Sequence, residues 1–208
     1  MAEFWESSFK DKETMWGFEP ADCVCEIVEL FGKHGINNVL IPGFGYGRNA
    51  RLFCDNGIAV TGIEISKTAI ELARQHYGEE IPVHHGSVTD MPFDDVMYDG
   101  IFCYALIHLL SASERASLIR NCYNQLRPGG YMVFVAISKN TPVYGEGKET
   151  AKDTFLTPHG VEIFYYDADS VSREFDQYGL IEAKEITEPA EEIPGRSSQR
   201  FWQIVCRK

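Results

Sequence analysis

The chain is short of positive charge. Its 208 residues carry 19 Lys and Arg against 31 Asp and Glu, a formal net charge of −12. So acidic a balance disfavours a nucleic-acid backbone or an anionic membrane as main partner, and neither is expected. No apolar run approaches the length of a membrane span. Met1–Thr14 is charged and lacks the apolar core of a secretory signal. The six cysteines contain no C-x-x-C pair; beyond Cys23 and Cys25 they are scattered through segments that read as helix or strand. That argues against a disulfide framework and for free thiols in a cytoplasmic protein. His84 and His85 fall on alternate faces of a strand, so they make a poor ligand pair, and no metal site is expected. There is no internal repeat and no low-complexity tract. The length suits one domain spanning 1–208, and nothing in the sequence sets an oligomeric state.

What is present is a regular alternation. Val24, Ile27, Val28 and Phe31 fall at helical spacing between Asp22, a candidate cap, and Gly35, a candidate stop. Strand patterns cover 38–42, 58–65, 81–85 and 98–104. Helices fit between them: one over about 48–56, and one opened by Ser66 with Ile70, Leu72 and Ala73 on its apolar side. Ser111 and Glu114 form a capping-box pattern for a helix to about Leu126, ended by Arg127-Pro128-Gly129-Gly130. Residues 131–137 are apolar throughout, as for a strand buried on both faces. The Gly/Pro/Thr-rich, charged stretch 138–160 reads as a long loop or lid. Asp167 or Asp169 caps a last helix closed by Gly179. Two final strands, 181–187 and 200–206, are joined through 188–198 with its two prolines. The order implies an α/β fold: a doubly wound, mostly parallel seven-stranded sheet with helices on both faces and a C-terminal antiparallel hairpin.

One segment carries the most chemistry. Val39-Leu40-Ile41-Pro42 runs into a loop with Gly43, Gly45 and Gly47, then into a helix starting at Arg48. Glycines there let a ligand approach bare backbone, and the helix start offers unpaired N–H groups. The spacing is G-x-G-x-G, not the G-x-G-x-x-G of a dinucleotide fingerprint. Glu64 closes the next strand, twenty-one residues after Gly43, where an acid can accept hydrogen bonds from both hydroxyls of a ribose. The glycine loop, Glu64, Ser87 and the Cys103–Ala105 segment all fall at carboxyl ends of strands, which points to a single nucleotide-like site.

These segments resemble, in order, the motifs of class I S-adenosylmethionine-dependent methyltransferases: 39–49 the first, Gly62-Ile63-Glu64-Ile65-Ser66 the second, Gly86–Phe93 the adenine segment, Tyr98–His108 the segment along the methionine moiety, and Leu126–Gly130 the turn before the fifth strand. The resemblance covers roughly 36–137. Pro42-Gly43, with Trp5 and Trp16 in an N-terminal leader (1–21), is similar in style to the thiopurine and tellurite-resistance types. It implies binding of S-adenosylmethionine, with S-adenosylhomocysteine as product, by Gly43, Gly45, Gly47, Arg48, Glu64, Ile65, Ser87, Val88, Cys103, Tyr104 and Trp16. It also implies a small-molecule acceptor, with 138–160 as its lid. Two positions depart from the pattern. Ile41 stands where the family commonly has an acid, and Ser87 stands at its adenine-contacting acid. His108 is a candidate general base, although a structural histidine fits as well. Two other readings are a non-catalytic binder of the same nucleotide and a nicotinamide-dependent oxidoreductase; the glycine spacing and the closing hairpin disfavour the second.

Overall fold

Strand β1 (Asn38–Pro42) is buried along nearly its whole length, and the sheet is wound outward from it. The computed structural model describes residues 2–191 and 197–208. Ahead of β1 lie helices α1 (Ala2–Lys12) and α2 (Cys23–Lys33). After it come α3 (Arg48–Asp55), β2 (Ala59–Glu64), α4 (Lys67–Tyr77) and β3 (Val83–His85). The chain then crosses back to lay β4 (Tyr98–Tyr104) against the other edge of β1, followed by α5 (Ala112–Gln125) and β5 (Leu126–Ile137). Three short strands, β6 (Lys148–Ala151), β7 (Thr154–Leu156) and β8 (Glu162–Phe164), precede α6 (Ala168–Phe175), β9 (Leu180–Glu188) and β10 (Gln199–Arg207).

The main sheet has seven strands in the order β3-β2-β1-β4-β5-β10-β9. β10 runs antiparallel to both of its neighbours, pairing Phe201 with Ile137 and Gln199 with Glu188. The direction of winding reverses between β1 and β4. That switch point opens a crevice beyond the strand ends. Side chains alternate across β5: Val133 and Val135 pack into a core with α2 and α3, while Met132, Phe134 and Ala136 pack into a second core with α5 and α6.

The expected sheet, the Ser66 cap and the Ser111–Glu114 capping box are all present. The last helix is capped by Asp167, whose carboxylate accepts the Ser170 N–H at 2.8 Å. Three expectations need correcting. Asp22 does not cap α2. It has helical φ/ψ, and its Oδ2 accepts the Ala190 N–H at 2.6 Å; the α2 amides of Asp22 and Cys23 donate instead to Glu188, at 3.1 and 2.7 Å. The third strand is three residues long and begins at Val83, not at 81. The stretch 138–160 is not plain loop: β6 and β7 lie within it and form with β8 an antiparallel sheet. That sheet is pinned by Lys139, which bridges Asp153 (2.8 Å) and Asp167 (3.1 Å), and by Tyr144, which donates to Asp153 at 2.9 Å. The expected connection 188–198 lies partly outside the described residues. Among the described residues, no helix is long and apolar enough to cross a membrane, no group of three potential metal ligands occurs, and all six cysteines are free thiols.

One buried ion pair ties the second core together. Arg115 donates to Glu174 through Nε and Nη2 at 2.9–3.2 Å and to the Leu110 carbonyl at 3.0 Å. It lies 3.9 Å over the Phe164 ring, while Tyr166 donates to the same Glu174 at 2.7 Å. Arg115→Ala leaves the partly buried Glu174 without its cation and should cost about 3 kcal/mol in urea unfolding. Arg51→Ala, which breaks only the exposed pair with Asp55, should leave the urea midpoint unchanged.

Candidate functional site

A cavity of about 450 Å³ occupies the crevice at the carboxyl ends of β1, β2 and β4, within the range of small-molecule and cofactor sites. Its floor is the glycine loop. The Gly43 and Phe44 N–H groups donate to the Ile63 carbonyl at 2.9 and 3.0 Å, clamping the loop to the end of β2. Gly43, Gly45 and Gly47 all have left-handed φ, +74°, +60° and +84°. A Cβ on Gly43 would come 2.9 Å from Leu106, and one on Gly47 would come 3.1 Å from the Phe44 ring; at Gly45 that space is open.

Glu64 is buried at 6% exposure and lines the cavity. Its Oε2 accepts the Gly45 N–H at 2.7 Å and its Oε1 accepts the Ser66 N–H at 2.9 Å. Burial pushes its pKa up, against the backbone donors that pull it down.

The structure brings most of the expected contacts together. Trp16, Gly43, Gly45, Arg48, Glu64, Ile65, Ser87, Val88 and Tyr104 all line the cavity, as does His108. Gly47 shapes the loop from behind. Cys103 points the other way, fully buried in the second core, where desolvation drives its thiol far above the usual range. Arg48 lies 5.7 Å from the Tyr104 ring centroid and donates to the Glu19 carbonyl at 2.9 Å. The Ser87 hydroxyl is engaged locally with Thr89 Oγ1 at 2.7 Å. Ile41 is buried in the first core and is absent from the wall. None of 138–160 lines the cavity.

Several wall and support residues carry no signal in the sequence. Glu188, Gln199 and Phe201 reach the cavity from the closing hairpin. Ala105 adopts a left-handed φ of +53° at the end of β4, a conformation uncommon outside glycine. Tyr46 stacks under Trp16 (6.3 Å, 12°), donates to the Gly17 carbonyl at 2.6 Å and accepts the Trp16 N–H at 3.2 Å. Glu6 of α1 accepts from the hydroxyls of Ser66 and Thr68, each at 2.8 Å, and from the Thr68 N–H at 3.3 Å. A carboxylate at the start of α4 also meets the favourable end of the helix dipole. The leader is thus fastened across the cavity with Trp5, Phe9 and Trp16 in its wall.

His108 is buried, and its Nδ1 accepts the Ile137 N–H at 3.2 Å. Burial alone lowers its pKa to about 3. The ring is therefore neutral near pH 7 with its proton on Nε2, which leaves no lone pair for taking a proton.

Comparison with known proteins agrees with this architecture. Residues 40–134 match the family described as a methyltransferase domain. The Ubiquinone biosynthesis O-methyltransferase of Vibrio vulnificus (strain YJ016) is 29% identical over 119 residues, 55% of this chain and 48% of that protein. The O-methyltransferase resE of Aspergillus sclerotiorum is 32% identical over 104 residues, 47% of this chain and 37% of that protein. The chain spans about half the length, or less, of the curated relatives it matches. Among solved structures, the Burkholderia thailandensis 1,6-didemethyltoxoflavin-N1-methyltransferase, with bound 1,6-didemethyltoxoflavin and S-adenosylhomocysteine, superposes with a TM-score of 0.75 at 15% identity, covering 100% of this chain and 86% of that one. TehB from Haemophilus influenzae gives 0.66 at 17%, covering 98% and 67%. The chain shares its Rossmann-like fold with these solved methyltransferases, and residues 40–134 are similar to the methyltransferase-domain family.

The leader should be acid-labile. Hydrogen bonding, chiefly from the Ser66 hydroxyl, lowers the Glu6 pKa from 4.5 to about 2. A depressed carboxylate contributes its stabilisation above pH 4.5 and loses it as pH falls towards 2. Emission from Trp5 and Trp16 should therefore shift over that range in the wild type. Glu6→Gln should show the shifted spectrum already at pH 7, and identical spectra at pH 7 would rule out this anchoring.

Proposed function

We propose that the chain is an S-adenosylmethionine-dependent methyltransferase acting on a small-molecule acceptor. The observation that carries this reading is the buried Glu64 carboxylate, held by two backbone N–H groups and lining the cavity beside the glycine loop. Such a carboxylate suits a ribose diol, and the bare backbone at Gly45 admits close approach of a nucleoside. Ile65, Ser87 and Val88 border the same side, where a base would lie. Arg48, at the α3 N-terminus, suits a carboxylate. The aromatic wall of Trp5 and Trp16 suits a sulfonium through cation–π attraction.

When bound, S-adenosylmethionine supplies a methyl group already activated by the sulfonium. The residues around it then have to orient the acceptor in line and exclude water. The docked leader serves the second purpose by walling the cavity with Trp5, Phe9 and Trp16. His108, neutral and spending Nδ1 on Ile137, is not a base. The reading therefore assigns no proton removal to His108 and suits an acceptor that is nucleophilic as it binds. The cavity admits a small molecule, and the acidic chain suits no polyanion.

Calorimetric titration tests the reading. S-adenosylmethionine and S-adenosylhomocysteine should bind with micromolar affinity, and Glu64→Ala should weaken both at least tenfold. NADH binding in place of either would contradict it.

A further inference from the structure

The closing hairpin brings an oriented amide to the cavity. Tyr104, at the end of β4, and Phe201 of β10 lie with ring centroids 6.1 Å apart at 28°, and both line the cavity. They form an aromatic ledge, with Arg48 over the Tyr104 ring at 5.7 Å and the His108 ring 6.3 Å from Phe201. Gln199 adjoins Phe201. The two stand two residues apart on β10 with no bulge between them, so their side chains share a face at a spacing of roughly 7 Å. Gln199 is half-buried and lines the cavity as well.

The direction of the Gln199 amide is set from outside the cavity. Thr141 is buried and absent from the wall. Its Oγ1 accepts the Arg200 N–H at 3.2 Å and lies 2.7 Å from Gln199 Oε1. A buried hydroxyl that already accepts one bond still has its own proton to place, and the Gln199 carbonyl takes it. The Nε2 donors are left over, and among the described residues no acceptor meets them. Glu188, opposite Gln199 on β9, gives its two oxygens to the Asp22 and Cys23 amides. Thr141 is itself held by a turn, its N–H donating to the Ser138 carbonyl at 3.2 Å.

Resting on the methyltransferase reading, we infer that Gln199 is a specificity residue for the acceptor and that Thr141 positions it. The acceptor is a planar ring that lies on the Tyr104–Phe201 ledge and presents a carbonyl oxygen or ring lone pair to the Gln199 amide. A flat ring matches the aromatic pair by stacking. A ring without the lone pair covers the amide and leaves its N–H groups unpaired, which disfavours it. The Thr141 bond orients the amide beforehand, so less ordering is left to the binding step. The stretch 138–160 thus reaches the acceptor through one hydrogen bond, without lining the cavity.

The test uses protein saturated with S-adenosylhomocysteine, so that the nucleoside part of the cavity is filled. Failure at this loading step counts against the function proposed above; the probes are then titrated on the unliganded protein and judged by the same criteria. The probes are chromone, planar with a ring carbonyl; naphthalene, planar without an acceptor atom; and 1-decalone, a puckered ring ketone. Dissociation constants are measured by NMR titration. Chromone should bind, and Gln199→Leu should weaken it about fivefold or more while changing naphthalene less than twofold. Thr141→Val should weaken chromone at least threefold, again sparing naphthalene, and Thr141→Ser should restore it. A merely structural Thr141 would move both probes and S-adenosylhomocysteine together. Phe201→Leu should weaken chromone at least threefold and 1-decalone less than twofold. Unchanged S-adenosylhomocysteine affinity, or an unchanged melting temperature where loading fails, shows that each variant is folded; if Thr141→Val does not fold, Gln199→Leu decides. No chromone binding at millimolar concentration, chromone affinity untouched by Gln199→Leu, or losses shared equally by naphthalene would each overturn the inference.

Discussion

The site depends on keeping a carboxylate charged where water scarcely reaches. Burying Glu64 is costly unless both oxygens are satisfied. The chain meets that requirement with the amides of Gly45 and Ser66, and each bond has a structural consequence. The first fixes the glycine loop against the end of β2. The second fixes the entrance to α4, whose first turn Ser66 also caps. The Ser66 hydroxyl is in turn the chief hydrogen bond on Glu6. Loop, sheet end, helix start and leader are therefore coupled through two acids and one fully buried serine. Such networks are worth more complete than in part.

A second consequence concerns reactivity. The same burial that makes Glu64 costly removes His108 from acid–base work, because its Nδ1 serves the β5 backbone and its surroundings disfavour charge. With His108 out of that role, the cavity suits chemistry in which positioning dominates. Two further carboxylates of its wall, Glu188 and Glu114, are held by backbone bonds at the starts of α2 and α5.

Much of this was legible in the sequence, for physical reasons. The sheet follows from strongly periodic segments bounded by Gly and Pro, and the crevice follows from where their carboxyl ends meet. Ser66, Ser111 and Asp167 were readable as caps because their own spacing supplies the partner N–H. Asp22 had the same look and failed, because Glu188, far along the chain, takes the amides instead. A long-range competitor leaves no local signal. Cys103 was misplaced for a different reason. In a strand buried on both faces, polarity does not tell one face from the other; Tyr104 faces the cavity and Cys103 the second core. The stretch 138–160 looked like a lid because its Gly, Pro and charge density resemble loop. Its two short strands pair only with each other and with β8, and their ion pairs converge from Lys139 and Asp167 outside any local window. The far wall of the cavity came from the closing hairpin, whose register no spacing rule supplies.

The most direct measurement is a crystal structure of the protein with S-adenosylhomocysteine. The account predicts both ribose hydroxyls on the Glu64 carboxylate while the Gly45 and Ser66 amides keep their bonds, with the leader still fastened by Glu6. A nucleoside bound without contact to Glu64, or a Glu64 turned away from Gly45 to reach it, would contradict the claim that this buried carboxylate organises the site.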